Sequence, residues 1–311
     1  MGAGAPELVR VSLATLECLE EGACRSPTAY LLLYSPSGCL AACRYCAQSR
    51  TSRCSRRLLS RVTWPLVRLR DVLSGLYRFR HLCIQGLLKP GFWSEVLGIV
   101  REVRRGAGFN GTISVALNPV GRPVLEELAN YVDRVGVGLD AASPRVFAEM
   151  RKPYTWQTYI SFARTAARVL GEGMATVHII VGLGETPDEY LSALKTVYEA
   201  GCRAALFAYT PLPCLDYRGG RPPLHYYRWC QVARELADQG LEPSEFLETR
   251  PPRVRRGVVP RRVLQHAFIT SGCPHCTRPY YNESPRDRKP YNYPQVEPLE
   301  EERCREDIPW A

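Results

Sequence analysis

Apolar positions along the chain fall into short unbroken runs that alternate with longer stretches of helical periodicity. Strands are predicted over residues 29–34, 81–85, 111–116, 132–139, 175–181 and 204–209, each bounded by turn residues. Helices are predicted over 65–76, where Leu66, Val67, Leu69, Val72, Leu73 and Leu76 carry the apolar pattern, and over 92–103 and 123–131. Further helices are predicted over 143–150 with 156–170, over 186–199 with Thr186 as N-cap, and over 224–239. Continuous apolar strands separated by amphipathic helices are the pattern of parallel βα units, whose sheet is covered on both faces. Six units rather than eight predict an α/β fold, an open partial (βα)6 barrel over 29–240. An N-terminal extension, 1–28, precedes it. The C-terminal extension, 241–311, is rich in proline, arginine and tyrosine and has little periodicity, so it is predicted to run as loop over the barrel.

Composition bounds the protein without naming it. A chain of 311 residues, 45% hydrophobic, can bury one sizeable core. Thirteen cysteines would suit a disulfide-rich secreted protein, but no charged and apolar leader opens the chain, so reduced thiols in a cytoplasmic protein are expected. No apolar run approaches the ~20 residues of a membrane helix. The formal charge of +10 favours an acidic partner. Nearly all of that charge is arginine, since only Lys89, Lys152, Lys195 and Lys289 are lysines, and no basic block is interleaved with aromatics as in nucleic-acid sites.

The stretch Cys39-Leu40-Ala41-Ala42-Cys43-Arg44-Tyr45-Cys46 follows the first strand through Ser35-Pro36-Ser37-Gly38. It therefore stands at the carboxyl end of a barrel strand, where such folds carry their chemistry. Cysteines spaced by three residues and then two can ligate three irons of one cubane cluster, and no fourth cysteine lies nearby to complete the set. One iron is left open. A zinc site or a group of buried thiols is the alternative. At later strand ends stand Gln85-Gly86, Asn118, Asp140 before Ser143-Pro144, the turn Gly182-Leu183-Gly184-Glu185, and Thr210-Pro211. Asp140 serves equally as a helix-terminal cap, Asn118 as a loop cap, and His178 reads as a core histidine. Cys18 and Cys24 precede the barrel, and Cys273-Pro274-His275-Cys276 lies in the tail. Each pair falls short of a closed site, while together they supply four thiolates for an auxiliary cluster or for zinc. Cys54, Cys83, Cys202, Cys214, Cys230 and Cys304 show no spacing logic and read as structural or spare.

The cysteine loop, with Tyr45 before its last cysteine, resembles the signature of the radical S-adenosylmethionine (SAM) superfamily. That resemblance implies a radical SAM partial (βα)6 TIM-type barrel with a [4Fe-4S] cluster on Cys39, Cys43 and Cys46, whose open iron chelates the amino and carboxylate groups of SAM. It places Tyr45 beside the adenine and Gln85 and Gly86 at the SAM amino group. Leu139-Asp140-Ala141-Ala142-Ser143-Pro144 resembles the Leu-Asp-Thr-Ser-Pro stretch of biotin synthase, which assigns Asp140 to the ribose hydroxyls. Gly182, Gly184 and Glu185 match the Gly-x-Gly-Glu-Thr turn of lipoyl and biotin synthases and are expected at SAM, as is Thr210.

Three further stretches resemble the biotin-synthase-related radical SAM proteins of archaea and some bacteria, which include a subunit of the two-protein lipoyl synthase. They are Pro27-Thr28-Ala29-Tyr30, Cys46-Ala47-Gln48-Ser49-Arg50, and the tail from Thr270-Ser271-Gly272-Cys273 through Glu283 with Tyr291-Asn292-Tyr293-Pro294. The resemblance implies a sulfurtransferase that inserts sulfur into an octanoyl chain held on a lipoyl-carrier protein. A second radical SAM subunit and an electron donor such as ferredoxin would be its partners, and an auxiliary [4Fe-4S] cluster on Cys18, Cys24, Cys273 and Cys276 would serve beside the SAM site. Neither a membrane nor a nucleic acid enters that reading. The chain departs from single-protein lipoyl synthases, which carry three N-terminal auxiliary cysteines and a C-terminal serine ligand. Biotin synthase carries its auxiliary cysteines within the barrel strands, a pattern that Cys83 alone matches and does not complete, and a biotin-synthase-like or other radical SAM enzyme acting on a free small molecule is the first alternative. A non-catalytic iron–sulfur or zinc protein that binds nucleic acid through its arginines is the second.

Overall fold

The chain opens with β1 (Leu8–Val11) and α1 (Leu13–Glu21), enters the barrel through β2 (Thr28–Leu33), and after the cysteine loop makes a small hairpin, β3 (Leu58–Leu59) with β4 (Val62–Thr63). Next come β5 (Leu66–Arg68) and α2 (Leu69–Gly75), then the alternation β6 (His81–Gln85), α3 (Phe92–Arg101), β7 (Thr112–Leu117), α4 (Arg122–Leu128) and β8 (Arg134–Asp140). Helices α5 (Pro144–Glu149) and α6 (Trp156–Leu170) lead to β9 (Ala175–Val181), α7 (Pro187–Glu199), β10 (Arg203–Ala208) and α8 (Leu224–Asp238). The tail adds β11 (Leu247–Thr249), β12 (Pro252–Val254) and α9 (Arg261–Ala267). This computed structural model describes residues 4–273, 275–278, 282, 287, 289–294, 297–300, 305 and 307–311. Pro274, Pro279, Tyr280, Tyr281, Glu283 and Cys304 lie outside the described residues.

All six predicted barrel strands form. They pair in parallel and in chain order within one eight-stranded sheet, β10-β9-β8-β7-β6-β2-β1-β5. Leu82, Ile84, Ile113, Val115, Val135, Val137, Val177 and Ile179, alternate positions in register on one face of the sheet, are all fully buried, while the other face turns His81, Cys83, Gln85 and His178 to a cavity. Each such side chain contributes roughly 1.5–3 kcal/mol relative to exposure. Helix starts follow their caps. Thr155 and Ser143 accept backbone N–H groups at the heads of α6 and α5, and Thr186 forms a reciprocal capping box with Glu189 on α7.

Two expectations change. Residues 65–76 do not form one helix, because Leu66–Arg68 pairs antiparallel with β1 and only Leu69–Gly75 turns helical. The N-terminal segment likewise joins the main sheet, with Val9 opposite Leu33 and Val67, instead of standing apart as an extension. Pattern alone missed this exchange because β1 offers an unpaired ladder that a short apolar segment satisfies better than one more helical turn.

A sheet of six parallel strands leaves β10 with a free edge, and the tail covers it. Ser271 accepts the Leu206 N–H, while Arg278 donates to Leu206 O and Asn282 to Ala208 O. Buried Arg228 of α8 reaches the tail as well, donating to the carbonyls of Pro290 and Tyr291. Cys54 and Cys214 form a disulfide between the segment after the cysteine loop and the loop after β10.

On α8, the Arg234 side chain is 6% exposed, donates at 2.7 Å to both Glu235 and Asp238, and caps α9 through Ala267 O. Removing the cation leaves two carboxylates in a nearly dry site with only the neutral donors Tyr198, on Asp238, and Gln239, on Glu235. Arg234→Ala is therefore expected to cost about 3–5 kcal/mol in urea unfolding. A loss under 1 kcal/mol would mean that the carboxylates find water.

Candidate functional site

The loop after β2 is held from several sides before any ligand enters. Cys39 N–H donates to Gln48 O, Leu40 N–H to Leu88 O and Arg44 N–H to Met150 O, which ties the loop to itself, to the end of β6 and to α5. Gln48 in turn donates through Nε2 to the carbonyls of Arg56 and Leu58. Gly38 has φ +79°, and a Cβ there would stand 2.9 Å from Arg56 Nε, so only glycine fits the turn into the loop.

Cys43 is buried, while Cys39 and Cys46 are half-buried. Burial raises the proton affinity of Cys43 and Cys46, and the neighbouring thiols raise it further, pushing Cys46 up to about 12. Thiols whose ionisation is opposed in this way, as at Cys43 and Cys46, suit iron, which replaces the protons and removes the repulsion. Among the described residues no three such side chains converge on one metal ion. A cluster makes a different demand, since each thiolate takes its own iron.

Asp140 ends β8 in the left-handed region at φ +65°, next to a β-bulge. Its Oδ2 accepts from Tyr45 Oη at 2.5 Å and from Lys152 Nζ at 2.6 Å, and Lys152 also donates to Gly138 O. Burial opposes the Asp140 charge, but the Lys152 ammonium and the two hydrogen bonds outweigh it and hold the carboxyl below its ordinary value. Burial likewise opposes the Lys152 charge, and Asp140 reverses the effect. Tyr45 of the cysteine loop is thus locked to the end of β8, with no described partner on Asp140 Oδ1.

These residues surround one cavity of about 640 Å³. Its wall brings together Cys39, Cys43, Cys46, Tyr45, Gln85, Gly86, Asp140 and Thr210, all predicted, along with Cys273 and Cys276 of the tail. Much of the remainder is apolar, with Leu32, Leu87, Leu117, Ile180, Phe207 and Leu215 among it. Gly86 must lack a side chain, because a Cβ would sit 2.6 Å from Ala116 O, to which its own N–H donates.

Other predicted residues stand elsewhere. Gly182, Gly184 and Glu185 are not on the cavity wall. The Glu185 carboxylate turns back and accepts the N–H groups of Gly182 and Leu183, and Gly182 packs where a Cβ would lie 2.9 Å from the Pro222 ring. This turn is a self-capped support behind the site. Cys18 and Cys24 are disulfide-bonded to each other, Cys18 fully buried and Cys24 exposed, and neither lines the cavity that holds Cys273 and Cys276. Their thiolates are therefore not available to an auxiliary site, and the four-cysteine set is withdrawn.

Sequence reasoning did not assign four wall residues to the site, and it read two of them, His178 and Cys83, as structural. Lys152 follows a loop with no motif of its own. Arg278 lies over the Phe207 ring at 3.9 Å with its Nε buried and unpartnered. His178 meets Phe207 edge-on at 5.2 Å, and burial lowers its pKa to about 4, so it is neutral near pH 7. Cys83 faces the same lumen. For His178 and Cys83 the strand period was readable, but a strand buried on both faces does not declare which face is the lumen.

A parallel partial barrel with an open three-thiol loop at a strand end defines a class of cluster-dependent enzyme. The family described as the Radical SAM superfamily matches residues 33–197, and the chain belongs to it. Curated relatives include the lipoyl synthases of Mycobacterium ulcerans, 32% identical over 121 residues, and of Mycobacterium avium, 33% identical over 122 residues. The match covers 36% of this chain with either, and 34% and 36% of those proteins, so it spans about a third of their length. A tRNA-2-methylthio-N(6)-dimethylallyladenosine synthase of Saccharopolyspora erythraea is 30% identical over 91 residues, which are 29% of this chain and 18% of that one. Among solved structures, methylornithine synthase superposes with a TM-score of 0.51 at 11% identity, over 71% of this chain and 64% of that chain, a likeness of fold. No helix among the described residues is long and apolar enough to cross a membrane.

Two substitutions separate ligand contacts from supports. Asp140→Ala is expected to weaken SAM binding about ten- to a hundredfold, the worth of a charged hydrogen-bonding group at roughly 1–3 kcal/mol, with the cluster retained. Equilibrium dialysis with SAM measures it, and unchanged affinity would leave Asp140 only as the partner of Lys152. Glu185→Ala is expected to lower thermal stability by about 1–3 kcal/mol, since two N–H groups lose their acceptor, while SAM affinity shifts by less than threefold. A large affinity loss at unchanged melting temperature would restore Glu185 to the cofactor site.

Proposed function

We propose that the chain is a radical SAM sulfurtransferase of the lipoyl synthase type, which inserts sulfur into an octanoyl chain carried on a protein lysine. One observation carries the reading: the SAM-type thiol loop and the tail thiols open onto the same cavity, whose wall is otherwise largely apolar. The identity to lipoyl synthases over a third of their length supports it. An alkyl C–H bond offers no acidic proton, so side-chain acid–base catalysis has no hold on it, and the SAM-bound cluster supplies hydrogen abstraction in its place.

The protein's own residues then position and shield. Cys39, Cys43 and Cys46 would hold the cluster, Tyr45 and Asp140 with Lys152 would hold SAM, and Leu87, Leu117, Ile180 and Phe207 would lie along the alkyl chain and exclude water. An octanoylated lipoyl-carrier domain, a second radical SAM subunit and a ferredoxin-like electron donor complete the proposal. A net charge of +10 suits an acidic carrier and would make its capture depend on salt.

The test is anaerobic turnover of an octanoyl-lysine carrier peptide with SAM and reductant, read by mass spectrometry. This chain alone is expected to add at most one sulfur, and addition of the second subunit to give the dithiol. SAM cleavage without sulfur on the peptide, both subunits being present, would refute the reading. A parallel arm with tRNA that carries N(6)-dimethylallyladenosine serves the methylthio reading that the Saccharopolyspora relative favours.

A further inference from the structure

The net charge of the protein sits in one stretch of the chain. Residues 22–94 hold twelve of its 41 lysines and arginines and one of its 31 aspartates and glutamates, a balance of +11 against +10 for the whole. The remainder is therefore close to neutral. The concentration is sharpest over residues 44–70, which hold eight arginines and no carboxylate. Like charges so placed repel one another: burial first, and Arg57 in smaller measure, work against the cation on Arg10 behind them. The fold gains nothing from such a stretch by itself, so its use lies outside the chain.

Three of these arginines are fixed to the cavity wall through their backbone. Arg50, Arg53 and Arg57 are exposed, and none enters an ion pair among the described residues, whereas Arg101, Arg122, Arg145 and Arg250 elsewhere on the surface each face a carboxylate. Arg50 N–H donates to Ala41 O at 2.9 Å, Arg53 N–H to Cys214 O at 3.2 Å, and Arg57 O accepts the Trp64 N–H at 2.7 Å. Ala41 and Trp64 line the cavity, as do Leu212 and Leu215 on either side of Cys214, and the Cys54–Cys214 disulfide fastens the same layer. Just beyond Arg57 the hairpin pair Leu59 and Val62 also lines the cavity. Val11 N–H donates to Pro65 O, which sets the exit of the hairpin against the head of α1, and there the wall residue Leu13 is 47% exposed. The cavity thus reaches the surface beside the arginines.

An acidic partner is a protein or a nucleic acid, and this face chooses between them. Stacking of bases needs exposed rings, yet the only aromatics of residues 44–70 are Tyr45, bonded to Asp140, and Trp64, which is buried. What stands exposed is aliphatic, Leu40 next to Ala41 and Leu66 after the hairpin. Arginines around exposed leucines are the make-up of a surface that meets protein. We propose that the layer formed by residues 47–64 is the docking surface for an acidic protein domain, which sets its carboxylates on Arg50, Arg53 and Arg57 and passes a lysine-borne chain inward past Leu59 and Val62. The identity of that chain rests on the sulfur-insertion reading, while the surface rests on the layout of charge.

Binding tests the surface without turnover. A fluorescently labelled, octanoylated lipoyl-carrier domain is titrated with the full chain, and anisotropy gives Kd at about 0.05 and 0.3 M salt. Replacing Arg50→Glu, Arg53→Glu and Arg57→Glu together is expected to raise Kd at least about tenfold at the lower salt and less at the higher. Arg164→Glu, Arg168→Glu and Arg203→Glu, the same change of net charge on exposed arginines of α6 and the start of β10, are expected to raise it less than about threefold. Circular dichroism and SAM affinity qualify each variant as folded, and Gln at the same three positions, with an intermediate loss, carries the test if the Glu form does not fold. Equal losses in the two triple variants, an unchanged Kd, no binding by the unaltered chain, or tRNA held by these arginines in place of the carrier domain would each overturn the proposal. Arginine-dependent binding with no sulfur on the carrier would sink the sulfur-insertion reading and leave the surface standing. Sulfur insertion into the whole domain at unchanged KM in the Arg50, Arg53 and Arg57 variant would do the reverse.

Discussion

Six parallel strands cannot close into a barrel, and the exposed ladder of the last one would stand open to any passing strand. In this protein the chain's own tail answers that constraint. Ser271, Arg278 and Asn282 satisfy β10 on one side, and Tyr30 and Thr28 of β2 receive the same segment on the other. A single strap therefore joins β10 to β2 across the lumen, past the four strands that stand between them in the sheet. Because it does so through side chains, the polar groups that hold it are also the groups that end up facing the cavity.

Charge balance inside that cavity follows from the same packing. Six free thiols, three on the loop after β2 and three on β6 and the strap, would carry several negative charges if ionised together. Burial already opposes ionisation at Cys43, Cys46, Cys83 and Cys273. Two cations stand near them, Lys152 beside the loop and Arg278 beside the strap, and Asp140 consumes much of the first. Neither is enough to hold thiolates in a site this dry, which is why bound cations, rather than side chains, must complete the balance.

The barrel strands were legible because a parallel sheet needs unbroken apolar runs, and the three-cysteine loop because its ligands are local in sequence. Asp140 and Tyr45 were legible as positions but not as a pair, since their contact joins residues 95 apart through a left-handed strand end. Glu185 misled for a related reason. A glycine-bounded carboxylate after a strand looks the same in sequence whether it faces a ligand or caps its own loop, and only the course of the turn decides. The second cysteine group failed on partner choice. Cys273 and Cys276 were grouped with Cys18 and Cys24, whereas those two bond to each other and the tail thiols share a cavity wall with Cys83. A single cysteine in mid-strand does not make a ligand set in sequence, and its neighbours are known only once the sheet and the tail are in place.

The strap also ties folding to the site. Cys83 is in place once β6 pairs with β2 and β7, but Cys273 and Cys276 join the cavity wall only when the tail has docked on Tyr30. Whatever binds against the tail's part of that wall must then bind the docked tail better than the undocked one, so by linkage it favours docking to the same degree. The docked tail in turn covers β10 and supplies Arg278 and Asn282 to the cavity wall. Docking of the tail on Tyr30 and completion of the cavity wall are therefore one event, and the sheet edge is covered when the wall is whole.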